Sequence, residues 1–202
     1  MLDLFGTFMG NRRRVVVGAE GDLLSNLYGK YYDLVARGLV YHAATAAAGV
    51  APGTSIGTTA AFALENPAGS NKNLIVLSGR AGYVSGTLGA GVIHWVAQNN
   101  PSGAATTGTA ITPVNAKLDG PKGVGRPFTT ATVPASPAVT RVFGSLQASL
   151  ASTAVAPWLL EDLVDGAIVV TPGCSIQLQG TTAAGATPLV VYSVAYAEVP
   201  VI

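Results

Sequence analysis

SGRAGYVSGTLGAGVIHWVAQNN, residues 78–100, sets Gly79, Gly82, Gly86, Gly89 and Gly91 ahead of His94 and Trp95. Such a density of glycine has two readings, a cradle for a phosphate or a turn between strands. GTLGAG has the order G-x-x-G-x-G, which is not the dinucleotide fingerprint. A phosphate cradle also needs a helix N-terminus behind it to present free N–H groups. Here the glycines lead instead into VIHWVAQ, a β-branched and aromatic run that prefers a strand. The stretch therefore predicts a bent β-hairpin with SGTLGAG at its turn, Trp95 inward and His94 on the opposite face. If the turn meets anything, a neighbouring subunit is expected rather than a phosphate.

On either side of this stretch, the chain beyond Tyr41 is a series of short apolar runs broken by glycine, proline, serine and asparagine. TTAAFALEN, LIVLSGRAGYVSG, FTTATV, VTRVFGSL, GAIVVT, SIQLQG and PLVVYSVAYAEV are the clearest. In CSIQLQG, Ile176 and Leu178 fall on one face and Ser175, Gln177 and Gln179 on the other. LVVYSVAYA is apolar on both faces, as a central strand covered on each side would be. Runs at this spacing predict an all-β antiparallel β-sandwich rather than βαβ units. One short helix is expected around PWLLEDL, with Glu161, Asp162 and Asp165 at a solvated turn or helix start. Residues 1–40 differ in texture and read as an N-terminal docking arm, extended or briefly helical, ahead of a sandwich over 41–202.

Composition narrows the function classes. Of 202 residues 49% are hydrophobic and only 10% charged, against about 25% charged in ordinary soluble domains. Mean hydropathy is +0.44. So little charge suggests a surface occupied by neighbouring subunits. A net charge of +1 gives no general attraction to nucleic acid or to an anionic membrane. Cys174 is the only cysteine, so no internal disulfide is expected. The start MLDLFGTFMGNRRRVVVG places its charge after the apolar patch, the reverse of a secretory signal. The chain is accordingly expected to be made as a soluble cytoplasmic protein.

Candidate chemistry is sparse. DGPKGVGRP, residues 119–127, offers glycines and Lys122 but lacks the G-K-[ST] ending of a P-loop. It predicts a loop between strands whose Lys117, Lys122 and Arg126 could touch an acidic partner. His42 and His94, the two histidines, have no second ligand at metal-binding spacing. Cys174, in PGCS, has no signature of a nucleophile, and no G-x-S-x-G elbow is present. No cofactor, metal or catalytic residue is assigned. The arm is richer, holding Arg12, Arg13 and Arg14 and the tyrosines Tyr28, Tyr31 and Tyr32. Arginine and tyrosine are interface-enriched anchors, so these six are the candidate partner-binding residues.

The order GDLLSNLYGKYYDLVARG, PGTSIGTTAAFALENPAG, KNLIVLSGRAGYVSGTLGAGVIHWV, APWLLEDLVDGAIVVTPGCSIQLQG and TPLVVYSVAYAEVP resembles small virion structural proteins of tailed bacteriophages. The nearest type is the capsid decoration, or cement, protein. The closing PG-x-S-I-x-L-x-G … PLVVYSVAYAEVP is similar to the last two strands of viral jelly rolls. The resemblance implies a jelly-roll-like sandwich, a homotrimer on the capsid surface, and the major capsid protein as partner. It implies no enzymatic activity and no binding to nucleic acid or membrane. The alternative is a head-fibre or tail-fibre receptor-binding protein that recognises cell-surface glycan around Trp158 or NNPSG. A hydrolase is a third and remoter reading.

Overall fold

The computed structural model describes residues 4–8, 11–15, 29–99, 105–146, 159–183 and 185–201. Strands β1 (Leu4–Phe8) and β2 (Asn11–Val15) pair as an antiparallel hairpin. Helix α1 (Tyr32–Ala36) then leads into β3 (Val40–Ala44), β4 (Thr59–Glu65), β5 (Lys72–Ser85) and β6 (Gly91–Asn99). Three shorter strands come next, β7 (Thr107–Ala110), β8 (Val114–Asn115) and β9 (Arg126–Thr132). The last four are β10 (Ala138–Leu146), β11 (Leu159–Val170), β12 (Cys174–Gly180) and β13 (Leu189–Pro200).

Beyond the hairpin the strands make two antiparallel sheets, ordered β10-β6-β12-β4-β9-β7 and β11-β5-β13-β3-β8. With the excursion β7–β9 set aside, β3-β13-β5-β11 faces β4-β12-β6-β10. That is the strand order of a jelly roll, in which nearly every connection crosses between sheets. The sandwich expected from the apolar runs is thus present, and its central strands are those the sequence marked. β13, apolar on both faces, lies between β5 and β3, and β12 lies between β6 and β4.

Two local expectations are overturned. SGTLGAG is not a hairpin turn, because β5 pairs with β11 and β13 while β6 pairs with β10 and β12. It is a corner from one sheet to the other. Its glycines serve close approach to the β12–β13 corner, which makes the return crossing. A Cβ on Gly89 would stand 2.0 Å from the Ala183 carbonyl oxygen, and one on Gly86 2.1 Å from that of Thr187. The second overturned expectation is the helix at PWLLEDL: from Leu159 onward this segment is the edge strand β11, and Pro157 and Trp158 lie outside the described residues. Pairing with β5 and the ion pairs of Glu161 and Asp162 outweigh its local helical character.

The core fills the space between the sheets. Trp95 and Phe62 from one sheet meet Tyr192, Tyr196 and Tyr41 from the other, all essentially inaccessible to water. Trp95 stands edge-on to Phe143 at 5.6 Å between ring centroids. Gly79 makes room for it, since a Cβ there would come within 2.5 Å of the indole. The indole nitrogen donates to Asp162 Oδ2 at 2.7 Å, and Arg141 donates to Asp162 Oδ1 at 2.8 Å. One carboxylate on β11 therefore ties β6 and β10 of the opposite sheet along the margin of the sandwich. Asp162, expected in a solvated turn, is instead a largely buried cross-sheet tie.

The corner packing makes a direct test. Gly89→Ala should destabilise the protein by about 1–3 kcal/mol or more, because backbone rather than a movable side chain blocks the methyl group. Gly82→Ala, with nothing within 4 Å of its Cβ position, should be close to neutral. Urea unfolding of the two variants beside the parent measures the difference.

Candidate partner-binding surface

The arm residues separate into two groups. Arg12, Arg13 and Arg14 lie on β2, opposite Thr7, Gly6 and Phe5 of β1. Tyr28 lies outside the described residues. Tyr31 and Tyr32 open helix α1, which lies on the outer face of the five-stranded sheet. Tyr31, Leu34 and Val35 pack there against Val40, Leu77 and Ala197. Residues 29–39 are thus seated on the sandwich. The helix is stopped by Gly38, at φ +69°, with Gly38 N–H bonding Val35 O and Leu39 N–H bonding Leu34 O. This is a Schellman ending, and it turns the chain directly into β3.

The start of the helix is latched to β11. Between Leu163 and Ile168 the pairing with β5 slips, and the bulge puts Asp165 and Gly166 at positive φ. Tyr31 donates its hydroxyl to Asp165, and Lys30 pairs with the same carboxylate at 2.6 Å. Lys30 first, then Tyr31, holds the Asp165 carboxyl below the usual carboxylate range. Tyr31 therefore acts within the chain, while Tyr32 leaves half its surface exposed.

Beside the helix runs a groove of about 280 Å³, at the lower edge of the ~300–1,000 Å³ range of small-molecule pockets. Strand register builds its floor. His42, Ala195, Ser78 and Leu163 stand opposite one another across β3, β13, β5 and β11. The neighbouring row is Ser193, Arg80 and Glu161. Tyr31, Val35, Val40 and Leu77 form the apolar wall. Arg80 is committed to Glu161, donating from Nε and a terminal nitrogen to Oε1 at 2.8 and 2.6 Å. Burial against the sheet, and then the nearby Arg80, lowers the pKa of His42. The groove is consequently lined by apolar side chains, Ser78, Ser193 and the His42 imidazole, beside an Arg80–Glu161 ion pair already closed within the chain.

DGPKGVGRP does bind an anion through backbone N–H groups, and the anion is its own. Glu198 of β13 is fully buried, and its Oε1 accepts from Val124 N and Gly125 N at 2.7 and 2.9 Å. Lys72 pairs with Oε2 at 2.9 Å. A Cβ on Gly123 would come within 2.5 Å of Oε1, so glycine lets the loop close over the carboxylate. The loop-between-strands expectation holds, and its Val124 and Gly125 N–H groups are spent on Glu198. Lys117 and Arg126 are also engaged, with Asp119 at 3.8 Å and Glu65 at 3.9 Å.

Sequence reading missed His42, Arg80 and Leu163 as neighbours, because only cross-strand register brings them together. It also missed Leu118, 90% exposed at the tip of the turn after β8. The signal for Leu118 was available: a lone leucine between Lys117 and Asp119 in a turn, NAKLDG.

This geometry has two measurable outcomes. Glu198→Ala leaves two loop N–H groups and a lysine facing a void, and should cost about 3–5 kcal/mol in urea unfolding. The depressed pKa of His42 means that the unfolded chain takes up its proton first as pH falls. That contribution to stability is intact above about pH 6.5 and is lost as pH drops below it toward the folded-state value. Replacing His42 by asparagine should flatten this part of the stability–pH curve; an unchanged slope would assign it elsewhere.

Comparison of the chain with known protein families, with characterised proteins and with solved structures finds no match.

Proposed function

We propose that this chain is a non-enzymatic structural protein of a tailed-phage virion, which decorates the capsid as a homotrimer and bridges major capsid subunits. The observation that carries the reading is a jelly-roll strand order built from a chain of only 10% charge. A fold alone does not name a function, but its surface adds to the case. Val139 and Val142 on β10, and Leu163 and Val169 on β11, are each about half exposed or more. These are the edge strands of the two sheets on one margin of the sandwich. Apolar side chains concentrated at an edge suit subunits that pack side by side.

The mechanism is stapling. Each copy contributes a small contact, and a trimer that engages several capsid subunits gains affinity through effective concentration. Arg12, Arg13 and Arg14, with Tyr28 and Tyr32, are the residues proposed to reach the major capsid protein. Tyr31 holds the base of that arm to the sandwich through Asp165. Assembly would take place in the host cytoplasm, before the finished particle carries the protein on its surface.

Heads and tails of the phage that encodes the chain can be separated and assayed by quantitative mass spectrometry. The protein is expected in heads, in fixed ratio to the major capsid protein. Recovery in tails alone would move it to the receptor-binding class. On full-length protein, reversing the charge of Arg12, Arg13 and Arg14 together should weaken binding to undecorated heads at least about tenfold. Undiminished binding would remove the arm from the contact.

A further inference from the structure

The five-stranded sheet carries a strap. Residues 30–38 cross its outer face, from a latch on β11 at one margin to a tie on β8 at the other. Four strand spacings, about 19 Å, separate those margins. At the first margin Asp165 holds Lys30 and Tyr31. Between the two ends lies α1, in which no residue is fully buried. A helix of five residues with no buried side chain has little of its own to hold it in place, so the strap depends on its ends.

At the second margin the tie is Asn115. It is buried, and it pairs with Tyr41 through β8. Its Nδ2 donates to Gly38 O at 2.9 Å and to Pro121 O at 3.0 Å, and its Oδ1 accepts from Lys117 N at 2.9 Å. Two N–H groups and two bonds leave the nitrogen none to spare. Gly38 ends the strap and Pro121 lies within the loop 116–125, so one amide closes both segments. They also touch directly. A Cβ on Gly38 would stand 3.0 Å from Pro121 Cδ, and Ala116 joins Tyr31, Leu34 and Val35 around Val40 and Leu77.

The loop in turn is a lid. Gly123 lies against Tyr41 and Gly125 against the Tyr196 hydroxyl, where added Cβ atoms would come within 3.0 and 2.8 Å. The two rings beneath it stack at 5.7 Å. Beyond Lys117, and among the described residues, the loop is bonded to the rest of the chain through Asn115 and through Glu198. Opening either the strap or the lid leaves a buried Asn115 N–H without its acceptor, which costs the desolvation of that donor. Once one segment is closed, the amide is already oriented and the second bond orders no further side chain. Each closure therefore favours the other.

We propose that the strap 30–38 and the loop 116–125 open and close as one unit, coupled through Asn115. A partner that draws the arm off the sheet then loosens the lid over Tyr41, Tyr196 and Glu198, and one that grips the closed loop tightens the strap. The coupling belongs to the chain itself and stands whatever partner the arm meets.

Amide hydrogen exchange of the full-length chain, followed by NMR, reads such openings directly. Tyr31→Ala removes the latch hydroxyl and its ring at the β11 margin. It is expected to speed exchange at Val124 and Gly125, at the far margin, at least about fivefold, together with Val35 and Leu39. Amides of β6 and β12 should keep the rates of the parent. Gly123→Ala, whose methyl group would press on Glu198 Oε1, opens the lid from the other side and should speed Val35 and Leu39 in return. In an Asn115→Ala background both cross-effects should vanish while the local ones remain. Acceleration confined to the segment that carries the substitution overturns the coupling. An equal rise in β6 and β12 also overturns it, because it reports unfolding of the whole molecule. Cross-effects that survive Asn115→Ala remove Asn115 from the link. The Tyr31 and Gly123 variants decide the coupling even where Asn115→Ala does not fold.

Discussion

In this sandwich, backbone passes close to backbone where two of the crossings between sheets meet. The β5–β6 and β12–β13 corners cross side by side and bond to each other, Thr87 N–H to Ala186 O and Ala183 N–H to Ala90 O. At the points of closest approach a side chain has nowhere to go: Gly185, like Gly89, stands where a Cβ would meet a carbonyl oxygen, 1.9 Å from Thr87 O. Corner contact fixes how far β5 and β13 are offset from β6 and β12. That offset in turn brings Trp95 over Gly79 and places its N–H within reach of Asp162. The cross-sheet tie and the packing of the tyrosine-rich core between the sheets both rest on that offset.

A second constraint is polar. A chain with few charges still buries Glu65 and Glu198, and much of the polar surface it buries is paired inside the molecule. Glu198 takes two loop N–H groups and Lys72. Gln177 and Gln179, on the outer face of β12, bond to Ser175, to each other and to Gly57. Asn66 donates to Lys72 O and Val170 O, joining two turns at the opposite end from the crossing corners. The hydroxyls of Tyr192 and Tyr196 are among the exceptions: buried without a hydrogen-bond partner among the described residues, with their ionisation pushed well above the ordinary tyrosine value by burial. Such groups cost stability, and the aromatic surface they bury offsets it.

Much of this was legible in the residues. Alternation in CSIQLQG and two-sided apolarity in LVVYSVAYA identify the two central strands, because burial on both faces leaves a compositional trace. The crossing at SGTLGAG was not legible. A turn within a sheet and a corner between sheets ask for the same glycines, and only the partners of the flanking strands distinguish them. PWLLEDL misled for a related reason. Its carboxylates suggest a solvated helix start, yet Glu161 and Asp162 find cations on β5 and β10, 81 and 21 residues away in sequence. The groove shares that origin, since His42, Ser78, Leu163 and Ala195 come from four strands. Leu118 differs, because its exposure is set by its turn alone.

The placement of charge connects the fold to its surface. In most soluble proteins the carboxylates of an exposed edge strand face water and help to keep other molecules away. On β11 all three are turned inward or sideways to cations of the same chain, two on neighbouring strands and one ahead of α1. The same pairs that hold the sandwich margin and the helix in place thereby remove the electrostatic barrier to covering that margin. Leu163 and Val169 are left as the side chains that a neighbour would meet first. Internal ion pairing and an apolar edge are two consequences of one arrangement, and an edge arranged in this way is better suited to burial than to permanent exposure.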